Sequence, residues 1–266
     1  MRLSSAVVAA GYRLSAHDTL TSTNAEALKL ARGGERGPLW IVAREQTAGR
    51  GRRGNSWVSP PGNLYATLLL TDPAPPDCAP QLSFVAVLAV HDAIAERVPA
   101  LRTALALKWP NDLLCGGGKL AGILIEGERA ADALAVAIGI GVNCESHPSH
   151  TPYRVTDLKG EGAKVAAGEL FESLTAATAR RLAQWRRGAG FPEIRTDWIA
   201  RAAGIGSDMR ARLPDKEIVG RAEGLDEQGR LLLRLADGSL QPIAAGEVFP
   251  LDGAPPRPAS APGQGC

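Results

Sequence analysis

The spacing of apolar positions changes period several times along the chain, and each change predicts an element. After Thr23, the positions Leu28, Leu30 and Ala31 follow a helical period as far as Gly33-Gly34. Thr23-Asn24-Ala25-Glu26 has the form of a capping box, in which a hydroxyl and a carboxylate satisfy the free backbone donors of the first turn. Residues 39–44, apolar as far as Ala43, read as a buried strand, and 63–70 read as the next one. The stretch between them is polar and glycine-rich. Pro73, Pro75, Pro76 and Pro80 mark an exposed connection, after which residues 81–98 are apolar on most faces, as suits a helix inside a core.

Shorter runs follow at 105–108, 112–115, 119–126 and 133–142, broken by turn residues and read as strands. The last alternates sharply. Leu134, Val136, Ile138, Ile140 and Val142 share one face, and Ala135, Ala137, Gly139 and Gly141 the other. The bulky face seeks the core; the bare face suits either tight packing under a helix or close approach by a ligand. Residues 143–163 read as a long loop, and 165–187 and 192–202 as helices. Beyond Gly204 the texture becomes all-β, with short strands at 208–213, 217–225, 230–235 and 239–244 and hairpin signals at Gln228-Gly229 and Asp237-Gly238.

The expected fold class is therefore α+β. A mixed or antiparallel sheet packed with helices fills residues 1–204, and a small all-β barrel fills 205–251. Residues 252–266, with four prolines and three glycines, are expected to be a disordered tail.

Composition narrows the function. A net charge of +2 over 266 residues argues against a general nucleic-acid binder. Cys78, Cys115, Cys144 and Cys266 are too scattered for a zinc site or disulfide framework and fit a reducing compartment. The apolar run at 3–10 is interrupted by Ser4 and Ser5 and has no cleavage pattern before Arg13, which argues against a signal peptide. No window approaches the roughly 18 unbroken apolar residues of a spanning helix. The expected location is cytoplasmic, with no membrane partner.

Three segments carry candidate chemistry. In Gln46-Thr-Ala-Gly-Arg-Gly-Arg-Arg-Gly-Asn-Ser-Trp57, Gly49, Gly51 and Gly54 free the backbone while Arg50, Arg52 and Arg53 concentrate charge. Such a loop suits a carboxylate or phosphate, although a solvated basic turn has the same composition. Lys108-Trp-Pro-Asn-Asp112 and Lys119-Leu-Ala-Gly122 put cations and a carboxylate at strand ends, where Asp112 has the chemistry to hold Mg²⁺. Thr21-Ser22-Thr23-Asn24 offers more donors and acceptors than capping needs, enough to read an amide-like or urea-like group.

Taken together with Gly139-Ile-Gly-Val-Asn143, these motifs resemble the biotin–protein ligases, a family of the biotin/lipoate ligase fold, over roughly residues 20–250. The resemblance implies a two-step reaction: biotin and Mg·ATP give biotinyl-5′-AMP, and a lysine of a biotin carboxyl carrier protein then takes the biotin. It implies catalytic roles for Lys119, Asp112, Lys108 and Arg52. Biotin would be bound by Ser22, Thr23, Asn24, Gln46, Gly49, Arg50, Gly51, Arg52, Lys119, Gly122 and Gly139. ATP and the adenylate would meet Arg50, Arg52, Arg53, Trp57, Lys108, Asn111 and Asn143, with Asp112 as a metal ligand. Family members occur as monomers and as homodimers.

Two departures stand out. Many relatives carry another arginine where this chain has Asn55. About 20 residues precede Ser22, too few for the winged-helix DNA-binding domain of the bifunctional members, so no repressor activity and no DNA partner are expected. The alternatives are a lipoate–protein ligase or octanoyltransferase of the same fold, or a non-enzymatic biotin-binding regulator.

Overall fold

The computed structural model describes residues 1–130 and 132–251; the expected tail lies outside the described residues. A short helix α1 (Ser5–Ala9) leads into β1 (Arg13–Leu20), α2 (Thr23–Arg32), β2 (Leu39–Gln46), β3 (Leu64–Thr71) and α3 (Leu82–Arg97). Two hairpin-linked pairs follow, β4 (Leu105–Lys108) with β5 (Asp112–Cys115) and β6 (Gly118–Ala130) with β7 (Ala133–Val142). After α4 (Ala167–Trp185) and α5 (Phe191–Ile199) come β8 (Asp208–Arg212), β9 (Glu217–Leu225), β10 (Leu231–Arg234), β11 (Leu240–Ile243) and β12 (Glu247–Pro250).

The first sheet is mixed, in the order β1-β2-β3-β7-β6-β5-β4, and only its β1–β2 pair is parallel. A parallel pair needs a crossover, and α2 supplies it. Alternation along β7 splits the molecule into two layers. Val136, Ile138, Ile140 and Val142 pack into the main core beneath α3, whereas Ala135 and Ala137 join Ala27, Leu28 and Ala31 of α2 on the opposite face. With bulky side chains directed to α3, the second face has room for α2 at one end and a cavity at the other.

α3 is buried on nearly every side because α4 and α5 cover the face turned away from the sheet. The segment Pro76–Arg97 is long and apolar enough to cross a membrane by length and composition, contrary to the count of unbroken apolar residues. Here it is the core helix of two packed layers.

The small second sheet is antiparallel, in the order β11-β10-β9-β8-β12, and its two outer strands do not pair with each other. The small all-β unit expected after Gly204 is this five-stranded sheet. It docks through apolar residues continuous with the main core, among them Met209, Ala222 and Leu231, and through Trp109, whose buried Nε1–H donates to the Gly229 carbonyl at 3.0 Å. The link ties the β4–β5 turn to the second sheet.

Two strands were not legible beforehand. β1 is an edge strand whose residues are mostly exposed or half-buried, so it lacks an apolar run. β12 is only four residues long and follows directly on Gly246, yet it pairs with β8 along its whole length. The start of α2 also differs from the capping-box reading. Ser22, not Thr23, is the N-cap, its Oγ accepting from the Ala25 N–H at 3.4 Å, and Glu26 pairs with Lys29 instead.

Candidate active site

A cavity of about 1030 Å³ opens between the bare face of β7 and β6, the N-terminus of α2, the basic loop and β12. Arg50 and Arg52 from the loop, Lys108 from the end of β4 and Lys119 from β6 all line it, although they lie far apart along the chain. Ser22, Thr23, Asn24 and Gln46 form its other end. Gly51, Trp57, Asn111, Asp112, Gly122 and Gly139 complete the predicted residues that reach it.

The polar end is pre-ordered. Gln46 Oε1 accepts from the Thr23 N–H at 2.8 Å and from the Thr23 hydroxyl at 3.1 Å, while its Nε2 donates to Ser59 Oγ at 2.9 Å. The buried Thr67 hydroxyl donates to Asn24 Oδ1 at 2.6 Å, and Asn24 Nδ2 donates to Glu126 Oε2 at 2.8 Å. Each amide is fixed on both sides, so its orientation is set before any ligand arrives. Asn24 fits because Gly139 lies beneath it: a Cβ there would stand 2.4 Å from Asn24 Oδ1.

At the cationic end, antiparallel pairing sets Lys108 opposite Asp112 and Asp112 opposite Gly122. Lys119 Nζ approaches Asp112 Oδ1 to 2.7 Å. It also lies 5.6 Å from the Trp57 ring centre and 5.8 Å from that of Tyr153. Burial pushes the Lys108 ammonium below the ordinary lysine range; Asp112 and Glu247 oppose the shift and Lys119 adds to it. Burial also lowers the Arg52 guanidinium, against the pull of Asp112. Arg52 donates to Asn111 Oδ1 at 3.2 Å, and Asn111 in turn donates to the Ile123 carbonyl at 2.7 Å. Desolvated cations held by their neighbours suit a polyanion that brings charge of its own.

The basic loop is a small hairpin. Arg50 and Ser56 bridge antiparallel, the Gly51 N–H donates to the Asn55 carbonyl at 2.7 Å, and Arg53 at φ 57° and Gly54 at φ 78° make the left-handed turn. This folds Trp57 back over the sheet. Its indole lies on Gly141, where a Cβ would come within 2.5 Å of the ring, and next to Gly122, where one would come within 3.1 Å. The bare face of β7 therefore receives a helix residue at Gly139 and a loop aromatic at Gly141.

Three predicted residues do not line the cavity. Gly49 serves the hairpin itself, since a Cβ there would stand 2.4 Å from the Trp57 carbonyl oxygen. Arg53 is exposed at the turn. Asn143 is buried and holds the long loop, donating from Nδ2 to the Thr156 carbonyl at 3.0 Å and accepting from the Leu158 N–H at 3.0 Å. That loop pairs Val155 with Lys119 and brings Tyr153 and Arg154 to the cavity.

Sequence reasoning also passed over Arg212, Glu247 and Phe249 of the second sheet, which form a wall of the cavity. Lys108 Nζ lies 5.0 Å and Arg212 Cζ 5.4 Å from the centre of the Phe249 ring. No motif announces these residues; the two cations meet on one ring only after the sheets dock.

As a metal ligand Asp112 stands alone. No group of three or more His, Cys, Asp or Glu side chains converges among the described residues, and Asp112 is already engaged by Lys119. The donor set fits Mg²⁺ only where a ligand's phosphate oxygens and water supply most of the coordination.

Residues 16–143 match the biotin/lipoate A/B protein ligase family, and residues 204–249 match the biotin protein ligase C-terminal domain. The chain is 47 % identical over 238 residues to a biotin–[acetyl-CoA-carboxylase] ligase of Paracoccus denitrificans, a match covering 86 % of this chain and 96 % of that protein. Among solved structures, a biotin protein ligase from Aquifex aeolicus in complex with biotin and ATP superposes with a TM-score of 0.76 at 26 % identity, covering 90 % of this chain and 99 % of that one. A Leishmania major biotin protein ligase in complex with biotinyl-5-AMP gives 0.64 at 26 % identity, covering 88 % and 99 %.

Proposed function

The chain belongs to the biotin/lipoate A/B protein ligase family, and from that premise we propose that it joins biotin to ATP as biotinyl-5′-AMP and passes the biotin to a lysine of a biotin carboxyl carrier protein. The observation that carries this reading is the division of one cavity into a neutral polar end and a cationic end. The polar end, built from Ser22, Thr23, Asn24 and Gln46, suits the ureido group of biotin, which both donates and accepts hydrogen bonds. The cationic end suits a carboxylate meeting a triphosphate.

In the first step a carboxylate oxygen of biotin attacks the α-phosphorus of ATP, the bond to the β-phosphate bridging oxygen breaks, and pyrophosphate leaves. Two anions must be held together, so positioning and positive charge supply most of the rate. Lys119 is the cation for the developing charge at the α-phosphate. Asp112 keeps the Lys119 ammonium in place, and Lys108 and Arg52 hold the phosphates. Asp112 and Glu247 would border a Mg²⁺ ion held mostly by the phosphates of ATP, and that ion would screen phosphate charge. Trp57 and the basic hairpin cover the adenylate and keep water from the mixed anhydride.

In the second step the neutral amine of the carrier lysine attacks the acyl carbon. The bond to the adenylate oxygen breaks, AMP leaves and the amine proton passes to solvent or to the departing phosphate. Neither step needs a nucleophilic side chain of this protein. Cys144 fits this division, since burial pushes its thiol up to about 12 and away from nucleophilic use.

ATP–pyrophosphate exchange tests the reading. Exchange that depends on biotin and not on lipoate or octanoate is expected. Exchange driven by lipoate would assign the chain to the other branch of the family, and none with any acid would reject adenylation. A gel shift with biotinyl-5′-AMP present is expected to reveal no DNA binding.

A further inference from the structure

Glu126 has no part in the chemistry above, yet its Oε2 atom accepts both from Asn24 Nδ2 at 2.8 Å and from Arg50 NH2 at 2.9 Å. Asn24 is buried at the polar end of the cavity, while Arg50 stands at the base of the basic hairpin, bridged to Ser56. One oxygen thus joins the two ends. We propose that Glu126 is a positioning residue that couples the biotin-ring pocket to the basic hairpin, an inference that rests on the biotin reading of the cavity.

The geometry explains how. Asn24 Oδ1 accepts from Thr67, so its Nδ2 needs an acceptor on the other side to stay in place. Glu126 is the nearer of two acceptors, the other being the Leu124 carbonyl at 3.3 Å, and its remaining charge draws in Arg50. A ligand that tightens Asn24 fixes the carboxylate, which fixes Arg50 and with it the hairpin bearing Arg52. In reverse, a hairpin displaced from Glu126 leaves the Asn24 amide held by a carboxylate free to swing. The contact is local: the neighbouring Glu128 points to Arg32 instead, at 2.7 Å.

Calorimetric titration of biotin into the full chain, without ATP, tests the coupling through a double-mutant cycle. Glu126→Gln keeps the shape and removes the charge; Arg50→Gln removes its partner. Each is expected to weaken biotin about fivefold, the size of a partly exposed charge-assisted pair. Coupling predicts that the double variant is no weaker than about fivefold too, with the unfolding midpoint unmoved. Losses that multiply to about twenty-five-fold, or a Glu126→Gln variant with wild-type affinity, would overturn it. If Glu126→Gln does not fold, Arg50→Gln alone decides, because undiminished biotin affinity in that loop variant contradicts the link. A wild-type protein that takes up no biotin heat rejects the ligase reading instead.

Discussion

Lys119 and Asp112 meet at 2.7 Å across the β5–β6 ladder, and that contact holds a flexible cation of the cavity from one side. Asp112 draws the ammonium from one direction, while the rings of Trp57 and Tyr153 confine it from others. A lysine left free on its four-carbon stem would lose more entropy on meeting a transition state than one held in this way.

Replacing Lys119 by alanine removes charge aimed at the α-phosphate without opening the core, since the side chain lines the cavity. Single-turnover pyrophosphate release is expected to slow about a hundred- to a thousandfold, the usual cost of losing one pre-organised electrostatic contact. The unfolding midpoint should stay close to that of the parent chain. Pyrophosphate release at the parent rate would remove Lys119 from the mechanism.

The second lysine supplies a pH test. Burial lowers Lys108, so its charge is lost at a lower pH than that of a solvent-exposed lysine as pH rises. ATP binding that uses the charge should weaken on that alkaline side. Asp112 acts against the shift, so Asp112→Asn should carry the alkaline limb of the ATP KM profile to still lower pH. A limb that stays put, or moves upward, would show that Lys108 does not titrate in ATP binding.

Strands that bury an apolar run were readable from the sequence, on both faces in β5 and β7, at the covered sheet edge in β4, and on one face in β9. β4, β5, β7 and β9 keep the limits that their apolar runs suggest. β1 escaped because an edge strand can be polar on both sides, and its hydrogen bonds to β2 leave no mark in composition. The Ser22 cap was misplaced by one residue because Thr23 has the same hydroxyl; a non-local partner, Gln46, decides between them. Much of the cavity was foreseen through motifs in which glycines and cations fall close together. Arg212, Glu247 and Phe249 were not, since they reach the site only through the docking of a second sheet, whose register no local spacing records. Asn143 shows the opposite case: a residue that motif resemblance sends to the nucleotide instead spends its amide on Thr156.

The docking itself can be measured. Trp109→Phe keeps an aromatic ring near the second sheet but removes part of its volume and deletes the donor to the Gly229 carbonyl, leaving a buried acceptor without its partner. The loss is expected to be about 1–3 kcal/mol in urea denaturation. Because β12 supplies a wall of the cavity, the ATP KM should rise while biotin affinity is kept. A stability change below about 0.5 kcal/mol would mean that apolar packing alone holds the sheets together.

Gly141 is the position where a single methyl group should be felt most. Its Cβ would stand 2.5 Å from the Trp57 indole, closer than two such atoms can approach, and the strand on either side is paired and cannot yield. The indole must therefore swing off the sheet, opening the cover over the adenylate to water. Gly141→Ala is expected to fold, since the methyl faces the cavity and not the α3 layer, but to lower adenylate formation about a hundredfold and to quicken loss of the intermediate. Gly168→Ala, in α4 with nothing within 4 Å of the added atom, should leave both unchanged. Single-turnover formation of biotinyl-5′-AMP, followed together with acrylamide quenching and the emission spectrum of the tryptophans, separates the two, since Trp40, Trp109, Trp185 and Trp198 are buried and Trp57 is the indole a quencher reaches. Parent-like formation and an unmoved emission spectrum in Gly141→Ala would show that the glycine floor does not control where the indole sits.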